Sequence, residues 1–157
     1  MESRIETLQD RIRESDLDAV LFTNLPDIRW TTGFSGSNGV LLIAGDAAHF
    51  VSDGRYTEQA REEVAGAQIH TPGYRLFDYL EEEELLDPYE AIAFQADDLS
   101  VARASSLKER FDAIEWVGKS DILVRYRARK DDGEIDAIRR AQAITDRVFD
   151  EILALLR

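Results

Sequence analysis

The chain has 157 residues, a formal net charge of −13 and no cysteine. That length holds one domain with a real core. The lack of cysteine excludes disulfides, thiolate zinc sites and a cysteine nucleophile. The acidic balance argues against a nucleic-acid partner, because such a surface repels a polyanion unless basic residues cluster.

The N-terminal text "MESRIETLQD" is charged and helix-like, with no apolar signal-peptide core. No apolar run approaches the roughly 18 residues needed to span a bilayer, so a cytoplasmic protein without a membrane partner is expected. Residues 3 to 14 form an amphipathic pattern with Ile5, Leu8 and Ile12 on one face. "DAVLFT" (18 to 23) has the apolar run of a buried strand, and Pro26 can open a short helix that carries Ile28 and Trp30 inward. The stretch "WTTGFSGSNG" (30 to 39) follows, with Gly33, Gly36 and Gly39 at every third position. "VLLIAG" (40 to 45) and "AHFVSD" (48 to 53), joined by Gly45-Asp46, predict an antiparallel hairpin.

"RYTEQAREEV" (55 to 64) predicts a helix ending at Gly66, and "AQIHT" a weak strand. A helix over 75 to 86 stops before Pro88, a strand covers 91 to 95, and a helix over 100 to 111 has Ser100 as its N-cap. A last strand covers 113 to 118. Strands alternate with helices around one embedded hairpin, so the expected fold is α/β, a mixed sheet flanked by helices on its faces.

From about residue 120 the character changes. "DILVRYRARK" predicts a short helix or turn whose basic end is offset by "DDGEID". Asp131 or Asp132 can cap a long final helix with an apolar stripe through Ile135, Ile138, Ile144, Val148, Ile152 and Leu155. Residues 1–120 are expected to form one domain and 121–157 a linker and first helix. That helix runs uncapped to Arg157, the pattern of a chain cut short.

Glycines at this spacing let backbone approach a ligand closely. The loop is nevertheless no Walker motif, since no Gly-Lys-Ser/Thr follows it. It is no dinucleotide fingerprint either, because it feeds a strand instead of opening a helix. The two histidines, His49 and His70, have no zinc-ligand spacing and fit structural roles. Glu81 to Glu84 run continuously and would point around a helix without converging. Ser35 and Ser37 have no histidine nearby in sequence, and spacing alone leaves a triad open. For Arg55 two roles stand side by side: a bidentate clamp on a substrate carboxylate, or an internal pair with Asp53.

Two segments in order, "PDIRWTTGFSGSNGVLLI" and "HFVSDGRYTEQA", resemble the N-terminal domain of the creatinase/prolidase family, which includes Xaa-Pro aminopeptidases and Xaa-Pro dipeptidases. The family pattern is "N-I-R-Y-L-T-G-F", a serine/glycine loop, a hairpin, then "D-x-R-Y" and "Q-A". Asp53, Arg55, Tyr56, Gln59 and Ala60 match it, while Asp27, Trp30 and Thr31 replace its asparagine, tyrosine and leucine. "ARKDDGEIDAIRRA" resembles the start of the family's second domain, with Asp131 where serine is usual.

The resemblance implies a non-catalytic N-terminal domain. The parent would be a metallopeptidase hydrolysing peptide bonds that involve proline, with proline-containing peptides as substrates. Its separate pita-bread catalytic domain would hold two divalent ions (manganese, cobalt or zinc) on ligands beyond residue 157, leaving no metal or catalytic residue in this chain. The implied partners are that catalytic domain and further copies of the chain, as a homodimer or higher homo-oligomer. Phe34, Ser35, Ser37, Asn38, Arg55 and Tyr56 are then candidates for the edge of a neighbouring subunit's active site, with Phe34 shielding a proline ring; the other reading of the loop is a tight connection from helix to strand, and of Tyr56 a core residue with a tethered hydroxyl. Two alternatives stay open: the N-terminal domain of a creatinase-like amidinohydrolase, and a non-enzymatic binding module of the same fold.

Overall fold

A computed structural model describes residues 3–73 and 75–156. It divides into two compact units, one running to Ile122 and the other starting at Leu123. Arg157, on which the expectation of an uncapped helix end rests, lies outside the described residues.

The first unit is built on six strands: β1 (Ala19–Phe22), β2 (Val40–Ala44), β3 (Ala48–Val51), β4 (Gln68–His70), β5 (Ala91–Gln95) and β6 (Glu115–Lys119). They form one sheet in the order β4-β3-β2-β1-β5-β6. The β2–β3 hairpin is antiparallel and β2 also runs antiparallel to β1, whereas β1–β5, β5–β6 and β3–β4 are parallel. This is the mixed sheet with an embedded hairpin expected from the sequence. The central strands read as unbroken apolar runs because both faces are covered. On one face Leu21, Leu42, Val51, Ile92 and Phe94 join the cores of α4 (Leu76–Glu82) and α5 (Val101–Arg110) through Leu76, Leu80 and Leu107. On the other face α1 (Arg4–Arg13) and α2 (Leu25–Thr32) lie against β2, and Ile5, Leu8, Ile12 and Ile28 are buried.

Local chemistry explains the element ends. Asn24 caps α2 by accepting the Asp27 N–H at 3.1 Å, with Pro26 in the first turn. Ser100 caps α5 through the Arg103 N–H, as expected. Trp30 is only half-buried, with the Arg4 guanidinium 4.3 Å over its ring, so Ile28 alone turns fully inward. Two helices are shorter than their sequence pattern. The segment expected to be helical from 55 begins as a single 3₁₀ turn, Gly54–Tyr56, before α3 (Thr57–Glu63). The next, expected to reach 86, ends at Glu82, and Glu84 takes a left-handed φ of 52°.

The second unit contains α6 (Val124–Ala128) and α7 (Asp132–Leu155). Asp131 starts α7 with a capping box: its carboxylate accepts the Glu134 N–H at 2.8 Å, and the Glu134 carboxylate accepts the Asp131 N–H at 2.9 Å. Along α7, Ile138, Ile144, Val148, Phe149 and Ile152 are all exposed. Among the described residues no helix is long and apolar enough to cross a membrane.

Candidate functional site

The topology brings the ends of β1, β3, β4 and β5 and the start of β2 to one end of the sheet. After β1 the chain turns into α2, and after β5 into α5, on opposite faces. Neighbouring strands whose connections diverge in this way leave a crevice at their carboxyl ends, the usual ligand position in open α/β sheets. A cleft of about 1140 Å³ opens there, lined by the end of the glycine loop (Ser37, Asn38 and Gly39) and by Arg103, Ser106, Leu107 and Arg110 of α5.

The glycine loop is held to the 52–63 segment by three sets of hydrogen bonds, which together form one lattice across the two segments. At its start, the Glu63 carboxylate accepts the Ser35 N–H at 2.6 Å and the Ser35 hydroxyl at 2.9 Å, and Gln59 donates to the same hydroxyl at 3.0 Å. In the middle, the Ser37 and Tyr56 hydroxyls lie 2.7 Å apart. At its end, the Asn38 amide donates to Asp53 Oδ2 at 2.6 Å, while Ser52 Oγ donates to the Asn38 carbonyl at 2.6 Å. Matched residues of the second motif, Asp53, Tyr56 and Gln59, therefore act directly on the loop that belongs to the first.

Asp53 is the hub of this lattice. Besides Asn38 it accepts the Arg55 N–H at 3.1 Å, Arg55 Nε at 2.8 Å and Arg55 Nη2 at 2.9 Å. The hydrogen bonds from the Arg55 side chain, then that from Asn38, hold its carboxyl well below the usual carboxylate range. Of the two roles open for Arg55, the internal pair is formed, although the guanidinium side chain remains 72% exposed. Bonding to Ser37 likewise lowers the Tyr56 phenol from its ordinary value.

Phe34 departs from its expected place. It is 1% exposed, its ring centroid 4.6 Å from that of Phe50 and 5.5 Å, edge-on, from that of Tyr56. An apolar ring in a loop gains more by burial beneath it than by waiting in water for a ligand. It is not placed to shield a proline ring, and this corrects the expectation. The glycines follow from the same packing. A Cβ on Gly36 would collide with the Phe34 ring and stand 2.9 Å from Tyr56 Cδ1. Gly33 takes φ +92° and passes so close to the Glu63 carbonyl that a Cβ would lie 2.7 Å from that oxygen. Their close approach is to the chain's own aromatics and backbone. Of the candidates, Ser35, Ser37 and Arg55 are exposed and Asn38 and Tyr56 half-buried, all five joined through the lattice.

Among the described residues neither serine bonds a histidine. His49 Nδ1 instead meets His70 Nε2 at 3.1 Å, and His70 Nδ1 meets the Tyr79 hydroxyl at 2.9 Å. Glu81 holds Arg110 together with Asp78, and so is not wholly a solvated charge. Among the described residues no three His, Asp or Glu side chains come together to hold a metal ion.

Sequence reasoning missed two features at this end of the sheet. Gln95, 3% exposed, accepts the Thr23 and Asn24 N–H groups at 2.9 Å each and donates to Asp27 at 2.5 Å, stapling the end of β5 to the start of α2. Arg75 and Arg103 also line the cleft. Neither had a sequence signal beyond an arginine at a helix start.

Residues 4–129 match the family model described as Creatinase/Prolidase N-terminal domain. An uncharacterized peptidase of Bacillus subtilis (strain 168) is 28% identical over 154 residues, covering 98% of this chain and 44% of the relative. A solved Xaa-Pro dipeptidase from Bacillus anthracis superposes with a TM-score of 0.88 at 30% identity, covering 98% of this chain and 43% of that one. The solved N-terminal domain of the cytoplasmic peptidase PepQ from Mycobacterium tuberculosis H37Rv gives 0.66 at 29% identity, over 76% of this chain and 95% of that one. The chain thus spans less than half the length of the two longer relatives.

Proposed function

The chain belongs to the creatinase/prolidase N-terminal domain family, and on that premise we propose that it is the non-catalytic N-terminal domain of a cytoplasmic, metal-dependent Xaa-Pro peptidase. In this proposal it supports homo-oligomerisation, and its glycine loop borders the active site of a neighbouring subunit. The observation that carries the reading is the likeness over 98% of this chain to 43% of an Xaa-Pro dipeptidase at a TM-score of 0.88. It is supported by the joining of both family motifs into one lattice, in which Asp53 and Tyr56 tether Asn38 and Ser37.

The edge residues in this proposal are Ser35, Ser37, Asn38, Arg55 and Tyr56, without Phe34. Their part is positional. Anchored at three places, the loop presents its hydroxyls and the Asn38 amide at low ordering cost to whatever docks against it. Divalent manganese, cobalt or zinc would polarise the scissile carbonyl and activate water in the second domain. Among the described residues His49 and His70 engage each other and Tyr79, and no group of three His, Asp or Glu side chains stands ready for such a centre.

The test joins this chain to the catalytic portion of the Bacillus anthracis Xaa-Pro dipeptidase in place of that enzyme's own N-terminal portion. The chimera is expected to hydrolyse Xaa-Pro dipeptides with added manganese or cobalt, while this chain alone does not. Turnover by the purified chain alone, or a folded, metal-loaded chimera without activity, overturns the proposal.

A further inference from the structure

The cleft is richer in positive charge than the chain that forms it. The chain has 19 basic against 32 acidic residues, yet four arginines (Arg55, Arg75, Arg103 and Arg110) line the cleft against two aspartates, and no lysine does. Two of these arginines are internally matched: Arg55 by Asp53, and Arg110 by Asp78 and Glu81. Asp98 is likewise engaged, accepting the Thr23 hydroxyl at 2.6 Å and the Asn24 amide at 3.1 Å. Arg75 and Arg103 have no ion-pair partner among the described residues.

The position of Arg103 makes its open fork informative. It lies in the first turn of α5, a turn with no acidic residue. A cation there faces the positive end of the helix dipole, an unfavourable placement that an arriving anion would reverse. A planar guanidinium also suits a two-oxygen anion better than a point charge does. The lining also carries apolar side chains, among them Leu76 and Leu107, both buried, and Leu99, partly so.

We propose that this cleft binds a small apolar molecule that ends in a carboxylate, of which the free C-terminus of a short peptide is the natural form. Arg75 and Arg103 take the carboxylate, and Leu76, Leu99 and Leu107 take the apolar body. A peptide suits the remaining polar lining better than a phosphate ester does. Asp53 and Asp98 repel a second negative charge, and Asp98, which among the described residues accepts only from Thr23 and Asn24, keeps acceptor positions for a peptide N–H. Ser37, Asn38 and Arg55 line this cleft and also belong to the edge named in the proposed function, but the carboxylate contacts rest on Arg75 and Arg103, which are not edge residues.

The test is a titration of the purified chain, followed by NMR at backbone and arginine side-chain N–H signals. The probes are N-acetyl-Ala-Leu with a free carboxylate, the same peptide as its C-terminal amide, and phenyl phosphate. The free peptide is expected to saturate, with shifts centred on Arg75, Arg103 and Leu99, and to weaken as salt rises. The amide should bind at least about tenfold more weakly, the order expected for loss of a charge-assisted contact. Arg75→Gln with Arg103→Gln should show a similar loss at an unchanged melting temperature. Equal binding of the amide, full affinity in the double variant, no saturation by the free peptide, or tighter binding of phenyl phosphate each overturns the proposal.

Discussion

Arg55 closes both arms of its guanidinium on Asp53, Nε to Oδ1 at 2.8 Å and Nη2 to Oδ2 at 2.9 Å, while Asp53 caps the 3₁₀ turn on which Arg55 sits. The two residues are only two positions apart, so the pair fixes local backbone first. Its wider effect runs through the other donor to Asp53, the Asn38 amide. The charged side of the pair is solvent-exposed on the arginine, where screening reduces its worth.

Asp53→Ala should therefore harm more than Arg55→Ala, since it removes the cap and frees Asn38 as well. A drop of roughly 2–4 °C in melting temperature is expected for Asp53→Ala, as for loss of one helix cap in a chain of this size. Arg55→Ala should cost less, and Arg55→Lys should not recover the difference, because lysine lacks the planar fork. The carboxyl's lowered value gives the pH sign. Its contribution is present above the unfolded value near 3.8 and lost as pH falls through the lower folded one. Acid titration of stability for wild type and Asp53→Asn checks this: the variant should lose less below about pH 4.

Phe34→Ala should destabilise the chain by about 3–5 kcal/mol, the range for a large aromatic removed from a core. The ring supports Phe50 and Tyr56 together, so the loop above it should loosen. Gly36→Ala should also destabilise, by about 1–3 kcal/mol of overpacking, because the added methyl enters the Phe34 ring. Chemical denaturation of both variants is the measurement. A wild-type midpoint for Phe34→Ala would show that its burial does not matter.

These two positions mark where the sequence was legible and where it was not. The central strands could be read because strands covered on both faces are apolar throughout, and Ser100 and Asp131 could be read because caps act within three residues. The fate of Phe34 depends on Phe50, 16 positions away on a paired strand, and no local pattern encodes that contact. The Gln95 staple is less legible still, since its partners Thr23 and Asn24 lie 72 and 71 positions away. The Asp53–Arg55 pair was open to the sequence because both residues sit in one turn. The cleft arginines were not, because Arg75 and Arg103 come to line one cleft only once α4, β5 and α5 are assembled.

The histidine pair predicts a second pH dependence, nearer neutrality. Burial, more than any other cause, lowers both His49 and His70 from 6.5; Asp46 opposes it at His49, while at His70 the neighbouring histidine adds to it and Glu83 opposes. A lowered folded value means that the unfolded chain binds more protons below about pH 6.5. Stability should thus be full above that pH and decline as pH falls toward the folded values. The ring-to-ring bond permits one proton between Nδ1 and Nε2 but not two. Thermal unfolding between pH 7.5 and 5 should show the decline, and His70→Gln should flatten it. An equal slope in the variant would assign the decline to other groups.

The last prediction concerns α7. Ile138, Ile144, Val148, Phe149 and Ile152 are between 46% and 60% exposed on one amphipathic helix. Each large apolar side chain left in water forgoes roughly 1.5–3 kcal/mol of burial. A row of this kind is more than a soluble monomer usually exposes. A second copy can cover it symmetrically, because a twofold contact lets the stripe meet itself. Purified alone, the chain should therefore form a concentration-dependent dimer. Val148→Glu with Ile152→Glu should return it to monomer, since each charge would be buried without a partner. The variant helix should keep its capping box at Asp131, so circular dichroism should stay close to wild type. Sedimentation at several concentrations decides the matter. A wild-type chain that stays monomeric throughout, or a dimer indifferent to both charges, removes self-association through α7 and leaves the stripe for another part of a longer protein.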